Sequence, residues 1–118
     1  MTIDFDAIKI LNEKYKFSDY INEDPDHLNN PDSPINAMPV LFKDNGSLAG
    51  APITWGNKKL NENPIHIEVK SNVQTLIESA GGIPVGTTIT PEMSLSIVTE
   101  PTWRQSLGNY WDQTKTAG

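Results

Sequence analysis

The sequence contains no cysteine, which excludes a disulfide-stapled scaffold and any thiolate zinc site. No apolar run approaches the ~20 residues that a membrane-spanning helix needs. Positive charge is also scarce: nine Lys and Arg stand against fifteen Asp and Glu, for a formal net charge of −6. Nucleic-acid phosphates reward the opposite balance. Neither nucleic acid nor a membrane is therefore expected as a partner. Core material is thin as well. Only 36% of the 118 residues are hydrophobic, and 9 Pro and 8 Gly interrupt them. A domain of this size buries a modest share of its surface even with average composition. The length fits one domain, and the composition suggests a piece of something larger. Met1-Thr2-Ile3-Asp4 has neither the basic start nor the apolar stretch of a signal peptide, which points to a cytoplasmic address.

Residues 4–16 predict an amphipathic helix, with Phe5, Ile8, Leu11 and Tyr15 at three- and four-residue spacing and Asp4 as cap. Residues 22–37 hold a polar, Pro-rich loop with Asp24-Pro25-Asp26 and Asn29-Asn30-Pro31-Asp32. Met38-Pro39-Val40-Leu41-Phe42 suits a buried strand and runs into Lys43-Asp44-Asn45-Gly46, where Asn-Gly signals a turn. Gly50-Ala51-Pro52-Ile53-Thr54-Trp55-Gly56 is a second extended stretch, so strands and turn together occupy 38–57. Residues 57–64 are polar and expected to be exposed. Ser71 stands three residues before Gln74, the capping-box spacing. Val73, Leu76, Ile77 and Ala80 then mark one helical face, and Gly81-Gly82 stops the helix. Ile83-Pro84-Val85-Gly86 follows as a strand, making 72–90 a helix–strand unit in α/β style. The tail, 91–118, starts with a short predicted helix from Glu92 to Ile97 and carries Trp103, Tyr110 and Trp111.

Chemistry-bearing residues are sparse. His27 lies in the polar loop, and His66 would share a strand face with Glu68. Neither offers the three or four converging ligands of a metal site, so no metal and no cofactor are expected. Gly81 to Thr88 lacks the Lys and the following helix of a phosphate loop. Asn45-Gly46-Ser47 matches a glycosylation sequon but reads better as a turn. Trp103 and Trp111 form either a binding surface or anchors for the tail. Lys43 is the residue of most interest, because strand ends in α/β sheets collect ligands and catalytic groups. A partly desolvated Lys there loses its proton more easily and can act as a base. The plainer alternative is a surface lysine.

Four segments, in order, resemble the amidase signature family of amide hydrolases. Met38-Pro39-Val40-Leu41-Phe42-Lys43-Asp44-Asn45 resembles that family's strand ending in a Lys-Asp-Asn turn. Gly50-Ala51-Pro52-Ile53-Thr54-Trp55-Gly56-Asn57 resembles its Gly-x-Pro-Thr-Thr-x-Gly-Ser stretch. The helix at 72–80, with Gly81-Gly82-Ile83-Pro84-Val85-Gly86-Thr87-Thr88, resembles the helix, Ala-Gly break and strand leading to its Lys-Thr-Asn. Residues Gly108 to Gly118 resemble the Asn-Pro-Trp-Asp segment before its Gly-Ser-Ser-Gly-Gly core. Departures occur at Ile89, where the family has Asn, at Ala37, where it has Gly, and in the loop from Asn57 to Lys70.

The resemblance implies the N-terminal part of an α/β/α mixed-sheet domain, so that 1–118 is a single incomplete domain. It implies a metal-free hydrolase that cleaves a carboxamide C–N bond with a Ser nucleophile, a bridging Ser held by a cis peptide, and a Lys base. Lys43 matches the base. Both serines are expected beyond Gly118, and Ser94, Ser96 and Ser106 match neither, so the chain alone is expected to be inactive. Met93, Leu95 and Ser96 fall where the family lines its acyl pocket, or else belong to the core. The implied partners are a small-molecule amide, in the complete enzyme, and the remainder of the domain or a second chain. Self-association is open too, because an incomplete sheet leaves an unpaired edge. The alternative function is a non-catalytic remnant or split subunit that binds a partner chain.

Overall fold

The computed structural model describes residues 3–117. Met1, Thr2 and Gly118, on which the leader and tail readings draw, lie outside them. Helix α1 runs Phe5–Tyr15. Asp4 caps it by accepting a 2.9 Å hydrogen bond from the Ala7 amide, satisfying one of the free donors of the first turn. It ends where Lys16 turns left-handed and its N–H reaches the Asn12 carbonyl. Asn12 then clamps the reversal, donating to the Ser18 carbonyl and accepting from the Ser18 amide, both at 2.9 Å.

Strand β1 is Pro39–Lys43, β2 is Pro52–Ile53, and the short helix α2 is Lys58–Glu62. Strand β3 is Ile65–His66, helix α3 is Asn72–Ser79 and β4 is Ile83–Thr88. Strands β1 and β4 pair in parallel from Pro39–Ile83 to Lys43–Thr88, with one slip between Val40 and Leu41. Parallel partners need a long crossover, and β2, α2, β3 and α3 supply it. Strands β2 and β3 form a separate antiparallel pair. On the other edge of β4, residues 17–22 run antiparallel. Phe17 and Tyr20 accept from Ile89 and Thr87 at 2.8 and 3.0 Å, and Asn22 donates to Val85 at 2.9 Å. That approach leaves no room for a side chain at Gly86, where a Cβ would sit 2.3 Å from the Tyr20 carbonyl oxygen. The result is a small α+β arrangement built on part of a parallel sheet. Its core is Phe42, Leu48 and Ala51, with Val40, Tyr20 and Ile77 packed against it. None of its helices, among the described residues, is long and apolar enough to cross a membrane.

Helix α3 inverts the expected burial. Gln74 and Glu78 are 3% and 5% exposed, whereas Val73 and Leu76 are 55% and 68% exposed. The buried polar face is fully used. Gln74 accepts from the Ala49 amide at 2.8 Å and donates to Glu78 at 2.8 Å. Glu78 in turn accepts a 2.7 Å hydrogen bond from Lys70, while Ser71 caps Gln74 and donates to the Ser47 carbonyl. Satisfied polar groups can be buried without the penalty of orphaned ones. Val73 and Leu76 of the apolar stripe thus face outward, while Ile77 packs against this core. The expected buried strand at 38–42 departs similarly: Phe42 is buried, but Met38, just before β1, and Leu41 within it are exposed. The stretch after Gly56 is a helix rather than a loop, because Asn57 caps the amides of Lys59 and Leu60. The predicted helix from Glu92 to Ile97 shrinks to a single 3-10 turn, Glu92–Ser94, since Met93 and Ser94 take left-handed φ of 52° and 57°.

Candidate active site

The C-terminal ends of the two parallel strands meet at Lys43 and Thr88. Alternation along β1 buries Phe42 and Asp44 and leaves the Lys43 side chain exposed between them, as the period of two requires. The backbone around Lys43 is held on both sides. The Asp44 amide donates to the Thr88 carbonyl at 3.1 Å, and the Asn45 amide turns back to the Lys43 carbonyl at 2.8 Å. The Lys43 amine forms no ion pair or hydrogen bond among the described residues.

Asp44 is 4% exposed. Its two carboxylate oxygens accept from a single residue, Thr54: one from the amide at 2.8 Å and the other from the hydroxyl. The same hydroxyl accepts from the Gly56 amide at 3.2 Å. Gly56 has φ of +67°, and a Cβ there would lie 2.3 Å from the Thr90 carbonyl oxygen, so glycine is required for this loop to sit against Thr90. Trp55 is left-handed at φ 49°, and its carbonyl accepts from Met93 at 2.7 Å. Asn57 donates to Glu92 at 2.6 Å, and the Trp103 indole donates to the Gly56 carbonyl at 3.3 Å. The glycine-fenced loop is thereby stitched to the Lys43 turn on one side and to residues 90–93 on the other.

Of the three expected pocket residues, Met93 contacts this loop through its backbone. Leu95 and Ser96, both exposed, line a groove of about 290 Å³ with Pro91, Glu92, Val98 and Glu100. Neither Lys43 nor Met93 lines that groove. The two tail tryptophans part company. Trp103 anchors the tail, with Arg104 stacked 4.7 Å over its ring and ion-paired to Asp19. Trp111 is exposed and meets Tyr110 edge-on at 4.7 Å. His66 lies 3.4 Å from the Gly50 carbonyl oxygen and is exposed, as is Glu68. Among the described residues no group of three His, Asp or Glu converges for a metal. Sequence reasoning does not single out Asp44, Thr54 or Gly56. Their signal lies in the two matched segments, where an acid follows the Lys and a Thr stands two residues before a Gly.

A family model described as Amidase matches residues 11–118. The chain is 33% identical over 88 residues to the A subunit of glutamyl-tRNA(Gln) amidotransferase from Lacticaseibacillus casei, a match covering 74% of this chain and 18% of that protein. The same-named protein of Lacticaseibacillus paracasei matches with the same identity and coverage. The aligned stretch therefore spans less than a fifth of these curated relatives.

Proposed function

The chain belongs to the amidase family, and from that membership we propose that it is the N-terminal segment of an enzyme that hydrolyses a carboxamide C–N bond, with Lys43 as its base. The observation that carries the reading is the placement of Lys43 at the C-terminal end of a parallel strand, with its turn locked by Asp44 and the Thr54 loop. In the assembled enzyme the remainder of the domain covers this strand end and desolvates Lys43, which favours the neutral amine. The amine then takes a proton from a bridging Ser, which takes one from the nucleophilic Ser. The nucleophile adds to the amide carbon, the C–N bond breaks as the departing nitrogen gains a proton, and water hydrolyses the acyl-enzyme. Backbone N–H groups stabilise the oxyanion. Both serines come from sequence outside these 118 residues, so the chain by itself does not turn over amides. Met93, Leu95 and Ser96 contribute to the acyl side of the pocket. The chemistry needs no metal or organic cofactor, and the enzyme works in the cytoplasm. The relatives are, by name, amidotransferase subunits, which supports a carboxamide as substrate and assembly with another chain.

The outward-facing Val73 and Leu76 and the exposed Leu41 also favour a second reading, a non-catalytic or split subunit that binds a partner chain or further copies of itself. Reading the coding frame past Gly118, checked by the intact mass of the natural product, separates the two. Continuation into a Gly-Ser-Ser-Gly-Gly segment supports the amidase. A stop codon makes the partner-binding reading the better one.

A further inference from the structure

We infer that Asp44 is a positioning residue for Lys43: its buried carboxylate, clamped on Thr54, sets the turn from which the Lys43 side chain projects. The inference rests on the reading of Lys43 as base. All the restraint that the described residues place on Lys43 acts through its backbone, by the strand pairing with Thr88 and the two hydrogen bonds that flank its peptide groups. The next residue along is the one with the strongest side-chain anchorage at this end of the sheet. Asp44 accepts twice from Thr54, and Thr54, itself 2% exposed, accepts from Gly56. That chain of contacts joins the Lys43 turn to a loop whose far side is fastened to Thr90, Met93 and Trp103.

The choice of residue is costly for folding alone. A buried carboxylate forgoes its hydration, and here it faces a neutral threonine rather than a cation. A turn could be tied down by an uncharged side chain. Departures from the locally cheapest solution concentrate where function needs them, and a base must be held close to its proton donor: displacement by about 1 Å costs on the order of a hundredfold in rate. Asp44 is buried in the turn directly after the exposed Lys43, and among the described residues no hydrogen bond or ion pair joins the two side chains. Its effect on turnover therefore passes through the backbone.

The test uses the active amidase that contains this chain, whether continuous or assembled with its complementing polypeptide, and four variants: Lys43→Ala, Asp44→Asn, Thr54→Val and Thr54→Ser. Asp44→Asn and Thr54→Val are expected to lower kcat by about tenfold to a hundredfold with KM within about twofold of the parent, as a misplaced base should. Thr54→Ser keeps the hydroxyl and is expected to return kcat to within about threefold of the parent. If Asp44→Asn fails to fold, the Thr54→Val and Thr54→Ser pair decides. Parent-like kcat in Thr54→Val, a rise confined to KM, or a Thr54→Ser variant as slow as Thr54→Val overturns the inference. Lys43→Ala separates the two levels. If it keeps full turnover, the base reading fails. If it abolishes turnover while Asp44→Asn and Thr54→Val do not reduce it, only the positioning role fails.

Discussion

Replacing Leu76 with Gln probes whether the apolar stripe of α3 belongs to this chain's own core or to something that covers it. Leu and Gln have similar helix propensities, so the helix itself is little affected. In the isolated chain Leu76 is 68% exposed, and a substitution at such a surface position changes stability by no more than about 0.5 kcal/mol. Had the stripe been the buried face that its spacing suggests, the loss would be about 2–5 kcal/mol, as for truncation of a core leucine. The assembled enzyme should behave differently. Full burial of a leucine side chain is worth about 1.5–3 kcal/mol, so covering its remaining two thirds is worth about 1–2 kcal/mol. Urea unfolding of the 118-residue chain and of the assembled enzyme, each with parent and variant, measures both numbers. A loss above about 2 kcal/mol in the isolated chain refutes the outward orientation of the stripe. No loss in the assembled enzyme means that nothing in the assembly covers Leu76.

Lys70 is held above its ordinary value of 10.5, by the hydrogen bond to Glu78 first and by Asp26 second. A raised folded value gives stability that is complete below the unfolded value and lost as pH rises through the folded one. Urea midpoints should therefore stay level in the parent up to about pH 10, fall as the pH rises past the ordinary 10.5, and fall less in Lys70→Met. At neutral pH, Lys70→Met should itself cost about 1–3 kcal/mol by leaving one oxygen of the buried Glu78 unpaired. Asp112 is held below its ordinary 3.8, chiefly by the Thr114 hydroxyl and then the Thr114 amide. Its contribution is present above the unfolded value and lost as pH falls through the folded one, and carboxyl NMR titration should show the value moving back up in Thr114→Val. Gly86→Ala places a Cβ on the Tyr20 carbonyl and should cost about 3 kcal/mol in a thermal or urea melt.

Local signals were legible where one or two residues decide the outcome. Asp4 and Ser71 act as the N-caps their positions suggest, because a capping bond is settled within three residues. The Gln74 side chain, by contrast, does not complete the capping box, being taken by Ala49 and Glu78. The amidase membership was legible through ordered short segments, and the family match confirms it. Burial was less legible, because it is set by what lies across the contact. The periodicity of Val73, Leu76 and Ile77 correctly marks an apolar stripe, yet only Ile77 reaches this core. Gln74 and Glu78 look like solvent-facing residues until Ala49 is brought to Gln74 from another segment and Lys70, just before the cap, folds back onto Glu78. The Asp44–Thr54 clamp joins positions ten residues apart through a loop whose course depends on left-handed Trp55 and Gly56. Nothing in the local pattern around Asp44 announces that its carboxylate is buried.

The most direct measurement is amide turnover by the complete enzyme that contains this chain, parent against Lys43→Ala, with thermal melts of both. Because Lys43 is exposed in this segment and bonded to no side chain among the described residues, the substitution should leave the melt of the 118-residue chain nearly unchanged, and the melts of the complete enzyme check that both proteins are folded. If Lys43 is the base, kcat falls by at least about a hundredfold, within the range that general acid–base groups contribute. Turnover that survives Lys43→Ala at the parent rate contradicts the assignment on which this account of the chain depends.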